Sequence, residues 1–131
     1  MINNTKFIYV FWTCLDVQEA KKIVHGLLDQ SLIACASILP LVESIFRWEG
    51  EIEQNQETKV ILKTVVEHFD SIQSYICKHC SYQVPEIMQI DIAQGNSSYI
   101  SRIIQETLIK TISKQCFLNC AKSNLATSPS F

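Results

Sequence analysis

The sequence predicts an α+β domain in which two helices cover one face of an antiparallel sheet. Segments whose apolar residues alternate or run continuously indicate strands, and segments with apolar residues three and four positions apart indicate helices. The predicted order is strand, helix, strand, strand, helix, strand and one further helix. This order is typical of the split βαβ arrangement of ferredoxin-like sandwiches. The chain adds a long hairpin between the second and third strands and an extra C-terminal helix.

The first strand and the first helix have the clearest patterns. Residues 6–14 are apolar almost throughout, which indicates a strand that is central in the sheet or covered on both faces. Asp16 is placed to cap the following helix, and Glu19 completes the spacing of a capping box. Gly26, within that helix, predicts a close approach of the helix to the sheet. The apolar stripe of the helix comprises Ala20, Ile23, Val24, Leu27 and Leu28.

A long hairpin is predicted after this helix. Residues 33–48 form its first strand and residues 52–66 its second, with the turn at residues 49 and 50. Pro40 has no N–H to donate to a ladder, so we expect a bulge or a sheet edge there. The second strand alternates between two faces. One face carries Thr58, Val60, Leu62, Thr64 and Val66, and the other carries Lys59, Ile61, Lys63 and Val65.

The last predicted elements are a helix over residues 67–80, a strand over residues 87–93 and a third helix after the polar break at residues 94–97. The apolar stripe of the first of these helices comprises Phe69, Ile72, Ile76 and Cys80. The stripe of the third helix comprises Ile100, Ile103, Ile104, Thr107 and Leu108. Along the strand, the side chains that face one way are Met88, Ile90 and Ile92.

Composition narrows the class of protein. A chain of 131 residues with 47% apolar residues fits one domain with a filled core. Because the net charge is −2 and no basic patch occurs, we expect no nucleic-acid partner. The apolar run at residues 7–12 is too short for a membrane span or a signal peptide, so we expect no membrane insertion and a cytoplasmic location. We expect one domain over residues 1–112 and a partly disordered extension over residues 113–131.

The six cysteines are predicted to be reduced, because several fall in apolar periodic segments of a chain large enough to fold without disulfides. Cys77 with Cys80 and Cys116 with Cys120 have spacings that a four-cysteine zinc site would use. However, neither pair has a glycine-rich knuckle, and Cys80 continues a helical apolar stripe. The pattern therefore favours structural thiols over zinc.

The uncovered face of the predicted sheet indicates an oligomer. With both helices on one face, the apolar residues of the other face would be exposed to water in a monomer. The hairpin is also longer than a compact domain of this size requires. Both features predict burial against another copy of the chain.

Four segments resemble the CutA family of divalent-cation tolerance proteins in order and spacing, within a similarity that spans residues 7–108. They are LIACA at 32–36, ESIFRWEG at 43–50, ILKT at 61–64 and CSYQVPE at 80–86. The resemblance implies a homotrimer whose sheets pack on one another, and a role in copper tolerance by metal binding or sequestration rather than by enzymatic activity. The alternative is a trimeric signalling or small-ligand-binding scaffold with no direct metal role.

The resemblance also implies a set of metal ligands. In the family, copper binding is linked to two adjacent histidines and to a cysteine on the first strand. His79 matches the first histidine, Cys80 stands at the second, and Trp12 stands at the strand cysteine. Cys14, two residues along the same strand, shares the face of Trp12 and is a possible substitute. With Glu86 these residues form the expected set for copper or another divalent ion, namely His79, Cys80, Glu86 and Cys14.

Structural roles are the alternative for each of these residues. His79 would cap the end of its helix, Glu86 would bind backbone groups and Cys14 would belong to the core. Four further residues stand at motif positions of the family and are expected to line a cleft between subunits or to fill the interface: Trp48, Lys63, Tyr82 and Tyr99. Because a lysine inside a hairpin needs a partner or water, Lys63 is expected to pair with Glu86 of the same or a neighbouring subunit.

No catalytic motif was found in the sequence. It has no nucleophile elbow, no zinc-protease motif, no phosphate-binding loop and no dinucleotide fingerprint. We therefore expect a binding or scaffold protein and not an enzyme.

Overall fold

The computed structural model describes residues 5–108, in which four strands form one antiparallel sheet of order β2-β3-β1-β4. The strands are β1 (Phe7–Cys14), β2 (Cys35–Trp48), β3 (Glu51–Val65) and β4 (Ile87–Asp91). The helices are α1 (Val17–Asp29), α2 (Phe69–His79) and α3 (Ser97–Thr107), and a short 3-10 turn (Val66–His68) precedes α2. The predicted ferredoxin-like α+β fold is confirmed. The predicted extension at residues 113–131, with Cys116 and Cys120, lies outside the described residues.

Strand β1 is the centre of the fold, because it pairs with β3 on one side and with β4 on the other. Alternate residues of β1 are completely buried against α1 and α2: Ile8, Val10, Trp12 and Cys14. Burying a side chain of the size of Ile8 contributes about 2 kcal/mol. The intervening residues Phe7, Tyr9 and Phe11 point to the opposite face and are only partly buried. Coverage of β1 is therefore complete on one face and incomplete on the other.

Helix α1 begins as the sequence predicts, with a modified capping box. The carboxylate of Asp16 accepts a hydrogen bond from the Glu19 N–H at 2.8 Å. In return, Glu19 Oε1 accepts from the N–H of Leu15 at 3.2 Å, one residue earlier than in the standard box. The other carboxylate oxygen, Oε2, accepts from the N–H of Ser81 at 2.8 Å. Glu19 therefore also attaches the start of α1 to the chain that follows α2.

The hairpin of β2 and β3 closes through a two-residue turn. Both turn residues have positive φ, 50° at Glu49 and 84° at Gly50, as a type I′ turn requires. The bulge expected at Pro40 is confirmed by the register shift between Leu39 and Val42, with Leu41 at φ 57°. The bulge adds one residue to β2. As a result, the even-numbered residues of β2 after the bulge lie on the same face of the sheet as the odd-numbered residues before it.

Helix α3 covers one end of the sheet face that α1 and α2 leave free. Its Ile103 packs with Ala34 and Val65, and the Nε2 atom of His68 lies 2.6 Å from the carbonyl oxygen of Thr107. The remainder of this face is named the open face. Its apolar residues are Tyr9, Phe11, Leu39, Ile61, Met88 and Ile90. Within residues 5–108 no helix has the length and apolar character needed to cross a membrane.

Gly26 permits a close approach, but to α2 and not to the sheet as the sequence suggested. A Cβ atom at residue 26 would overlap the hydroxyl and ring of Tyr75. That ring in turn stacks on His79, with centroids 4.1 Å apart. The expectation was wrong because the face of α1 that carries Gly26 meets the neighbouring helix rather than β1.

We expect Gly26→Ala to stabilise the Tyr75→Ala variant but not the wild-type protein. With the ring removed, alanine gains about 1 kcal/mol of helix propensity over glycine. With the ring present, the new Cβ must displace it and disturb the stack on His79. Denaturant unfolding of the wild-type protein, the two single variants and the double variant measures the effect of Gly26→Ala on the free energy of unfolding with and without the Tyr75 ring. An equal effect in both backgrounds would refute the close contact.

Candidate functional site

Strand β1 divides the predicted metal ligands between two sides of the sheet. Cys14 faces the helices and is completely buried, whereas its neighbour Thr13 faces the open face. Cys80 lies on the same side as Cys14, and Glu86 lies beside Thr13. The four expected ligands therefore do not converge in one chain.

The two thiols on the helix side form a small polar cluster with Glu19. Cys80 caps the end of α2, and its sulfur lies 3.8 Å from Glu19 Oε1. The thiol of Cys14 donates to the carbonyl of Asp16 at 3.5 Å. Burial, then the charge of Glu19, raises the pKa of Cys14 to about 12. Burial also raises the pKa of Cys80, so both thiols are protonated at neutral pH in the protein alone.

The indole of Trp12 completes this cluster. Its Nε1 is the only buried side-chain nitrogen or oxygen in the described part of the chain that lacks a hydrogen-bond partner. The indole N–H nevertheless lies near Cys80, and its proximity, after the backbone N–H of Tyr82, lowers the pKa of that thiol against the larger effect of burial. A thiolate at Cys80 would therefore satisfy an indole N–H that has no acceptor while the thiol is protonated.

His79 lies at the rim of the cluster, on the last turn of α2. It is exposed, and its Nδ1 lies 2.8 Å from the carbonyl oxygen of Tyr75, as the helix-capping alternative anticipated. Metal-binding histidines commonly make this kind of contact with one nitrogen while the other nitrogen binds the ion. The geometry of His79 is therefore compatible with both roles.

Glu86 takes part in a different network, on the open face. Its Oε1 accepts from Thr13 Oγ1 at 2.6 Å and from Lys59 Nζ at 3.3 Å. The hydroxyl of Thr13, and then Lys59, hold the pKa of Glu86 below its ordinary value against the opposing effect of burial. Glu86 therefore binds side chains, and not the backbone groups that were expected for a purely structural role.

The expected pairing of Lys63 with Glu86 does not occur within one chain. Lys63 Nζ donates to Ser37 Oγ at 2.9 Å and lies 3.6 Å from the sulfur of Cys35. In the register of β1 with β3, Lys59 is opposite Thr13, whereas Lys63 is four residues further along, or about 13 Å. Glu86 is therefore within reach of Lys59 and not of Lys63.

The residues expected to form a cleft are also divided. Trp48 and Tyr82 line a groove of about 500 Å³ between the hairpin and the loop before β4, which we name the hairpin groove. The hydroxyl of Tyr82 donates to Glu57 Oε2 at 2.6 Å, and burial, then Glu57, raises the pKa of Tyr82. Tyr99 lies beside Cys35 at the other end of the sheet, where burial, followed by that thiol, raises its pKa to about 12.

Two features of this region were not predicted from the sequence. Glu19 was predicted only as a helix cap, and nothing in its spacing indicated contacts with Cys80 and Ser81. The partners of Glu86 also follow only from the strand register. Across residues 5–108, no three His, Cys, Asp or Glu side chains are placed so that they could hold a metal ion together.

Comparison with known proteins identifies relatives over most of the chain. The family model described as CutA1 divalent ion tolerance protein matches residues 8–106. The divalent-cation tolerance protein CutA of Escherichia coli is 33% identical over 99 residues, which are 76% of this chain and 88% of that protein.

Solved structures agree. The CutA1 protein of Ehrlichia chaffeensis matches with a TM-score of 0.76 and 30% identity, over 80% of this chain and 98% of that one. The periplasmic divalent cation tolerance protein CutA of Archaeoglobus fulgidus matches with a TM-score of 0.75 and 31% identity, over 78% of this chain and 99% of that one.

We expect Thr13→Val to raise the pKa of Glu86, because the Thr13 hydroxyl is the largest influence that lowers it. Since the folded-state pKa is lowered, the stabilisation by ionised Glu86 is present at neutral pH and is lost as pH falls through that pKa. NMR titration of the Glu86 carboxyl measures the shift. Thr58→Val is the control, because Thr58 lies on the helix face of β3. A pKa of Glu86 unchanged in Thr13→Val would contradict the assignment.

Proposed function

Because the chain belongs to the CutA1 family of divalent ion tolerance proteins, we propose that it serves copper tolerance by binding the ion at the thiols of Cys80 and Cys14. The observation that carries this proposal is the cluster of both thiols with the carboxylate of Glu19 and the indole N–H of Trp12. Thiolate is the ligand that Cu(I) prefers. Two soft ligands on one side of β1 therefore favour copper over a harder ion such as Mg²⁺.

Protonation regulates this site. Both thiols have raised pKa values, so binding of an ion requires the loss of protons and becomes tighter as pH rises. His79 is the third proposed ligand, through Nε2, since Nδ1 already contacts the Tyr75 carbonyl. Because no three such side chains of residues 5–108 are already grouped around one point, the imidazole has to move toward the thiols when the ion binds. Glu86 is across the sheet and is not part of this proposed set.

We also propose that the chain acts as a homotrimer. The open face exposes 56% of Met88 and 43% of Ile90, and nothing in residues 5–108 covers them. Beyond Val42 and Glu57 the hairpin strands pair only with each other. A two-stranded hairpin is marginally stable in water without further packing. Contact with another copy would bury both features.

The charges along this side of the sheet support a head-to-tail contact. Lys59 and Lys63 lie on the open face of β3, whereas Glu51, Glu53 and Glu57 lie on the same side of the hairpin. An acidic hairpin of one copy is therefore complementary to the basic sheet of the next. A heterologous contact of this kind gives a closed ring when the rotation between neighbouring copies is a whole fraction of a turn, and we propose a ring of three.

The proposed setting is the cytoplasm, and the proposed role is not enzymatic. Cys14, Cys35, Cys77 and Cys80 are all free thiols, as is usual for proteins in a reducing compartment. The relative from Archaeoglobus fulgidus is described as periplasmic, whereas the free thiols of this chain support the cytoplasm.

A trimeric signalling or small-ligand-binding scaffold is the second candidate function. The hairpin groove favours it, because the groove combines apolar walls with several carboxylates and lies away from the thiol cluster. In this case metal tolerance would follow indirectly from signalling.

We expect Cys80→Ser to weaken Cu(I) binding by about tenfold or more, since it removes a thiolate ligand. Anaerobic competition with a chromophoric Cu(I) chelator measures the affinity. All variants should carry Cys116→Ser and Cys120→Ser, because that pair can bind copper independently. Cys77→Ser is the matched control, as Cys77 is an exposed thiol on the same helix. The thiol site is refuted if the Cys80 and Cys77 variants bind copper equally well.

We expect sedimentation of the wild-type protein to give the mass of three chains, and Ile90→Glu to shift it toward one chain. The new charge would be buried without a partner in the proposed interface. Leu28→Glu should leave the mass unchanged, because Leu28 has a similar exposure of 41% but lies on α1, away from the open face. A wild-type protein that remains a folded monomer at micromolar concentration would rule out the trimer.

A further inference from the structure

The hairpin groove combines aromatic and acidic side chains within one concave surface of about 500 Å³. Its apolar walls include Phe46 and Trp48 from β2, together with Val84 from the loop before β4. The exposed fractions of Trp48 and Val84 are 63% and 91%, so these walls are open to a ligand from solvent. Apolar and aromatic walls with a few oriented polar groups are typical of small-molecule sites.

The charge of the groove is negative. Glu53, Glu57 and Glu86 line it, and no lysine or arginine of residues 5–108 does. Lys59 pairs with Glu86 from outside the groove, and Glu57 is held by the hydroxyl of Tyr82. The carboxylate of Glu53 makes no hydrogen bond or ion pair with any other residue in the described part of the chain. Within one chain Glu53 is thus available to a cation, for which a neighbouring copy would compete, while Glu57 is fixed in place by a neutral donor.

The bulge at Leu39 and Val42 brings the aromatic side chains to these carboxylates. Beyond it, Phe46 is opposite Glu53 and shares its face of the hairpin, and Trp48 lies on the same face. An aromatic face beside a carboxylate recognises an ammonium or guanidinium group through cation–π and ionic contacts. A metal ion is a poorer fit, because the carboxylates of residues 5–108 are not grouped to hold one.

We propose that the hairpin groove binds a small organic cation, with an ammonium or guanidinium group on an apolar body. The cation lies among Glu53, Glu57 and Glu86, and the apolar body contacts Phe46 and Trp48. This inference deepens the scaffold function proposed above and rests on it for its biological role. It does not use the thiols of Cys80 and Cys14, which lie on the other face of the sheet.

Three probes that share one skeleton test the charge preference: 2-phenylethylamine, 2-phenylethanol and phenylacetate. We expect the amine to bind the full-length protein at least about tenfold more tightly than the alcohol, and the carboxylate to bind most weakly. Calorimetry or NMR shift titration measures the three affinities. The preference for the amine should fall with added salt. Equal affinities of the amine and the alcohol would overturn the proposal.

Matched variants locate the site. Glu53→Gln should reduce the affinity for the amine by about fivefold and leave that for the alcohol unchanged. Glu51→Gln is the control, because Glu51 is on the same face of the hairpin but does not line the groove. Trp48→Leu keeps an apolar wall and should reduce the preference for the amine. If the Glu53 and Glu51 variants lose the same amount of affinity for the amine, the effect comes from the general surface charge, and the proposed site is refuted.

Sedimentation of the same samples separates this inference from the proposed assembly. If the wild-type protein binds none of the probes and Glu53→Gln dissociates the oligomer, the groove is occupied by a neighbouring copy. That result would overturn the ligand proposal and support the trimer. If the oligomer persists and the amine binds with the expected preference, both proposals stand.

Discussion

The two-residue period of strand β1 determines where every candidate functional group lies. Trp12 and Cys14 are directed to the helices, and Thr13 between them is directed to the open face. Cys80 and Glu86 are only six residues apart, yet they contact opposite faces of the sheet through these neighbours. A slip of one residue in the register of β1 would exchange the two sets and would direct Thr13 to the helices in place of Cys14. The core that fixes this register also keeps the thiol cluster and the hairpin groove apart.

The loop between Cys80 and Glu86 is attached at both ends. At its start, Glu19 accepts from the N–H of Ser81, and at its end Glu86 binds Thr13 and Lys59. In its middle, Tyr82 donates to Glu57 of the hairpin. A change in protonation or ligation at Glu19 or Cys80 would therefore act on the same loop that forms one wall of the hairpin groove. This loop is the physical connection between the two proposed sites.

The order of the elements could be predicted from the sequence because it depends on local patterns. Apolar periodicity identified the strands and helices, and Pro40 identified the bulge, since a proline has no N–H for the ladder. The partner of Lys63 and the packing of Gly26 could not be predicted, because both depend on the register and on contacts between helices. The exchange of faces after the bulge could not be predicted from the sequence either, because it depends on how many residues the bulge adds. Glu19 fits a capping box so well that its sequence gave no indication of a second role.

The hairpin connects assembly to ligand binding. Among residues 5–108, the segments 42–48 and 51–57 receive ladder hydrogen bonds only from each other. Their side chains Ile45, Trp48 and Ile52 each expose more than 60% of their surface. Because such a hairpin is marginal alone, its order depends on a contact beyond this ladder. The same strands supply Phe46, Trp48, Glu53 and Glu57 to the groove, so the groove is complete only when the hairpin is ordered. If a neighbouring copy provides that order, a ligand of the groove binds the assembled state in preference to the dissociated chain. By linkage, it must then stabilise the assembly in proportion to its affinity for the groove.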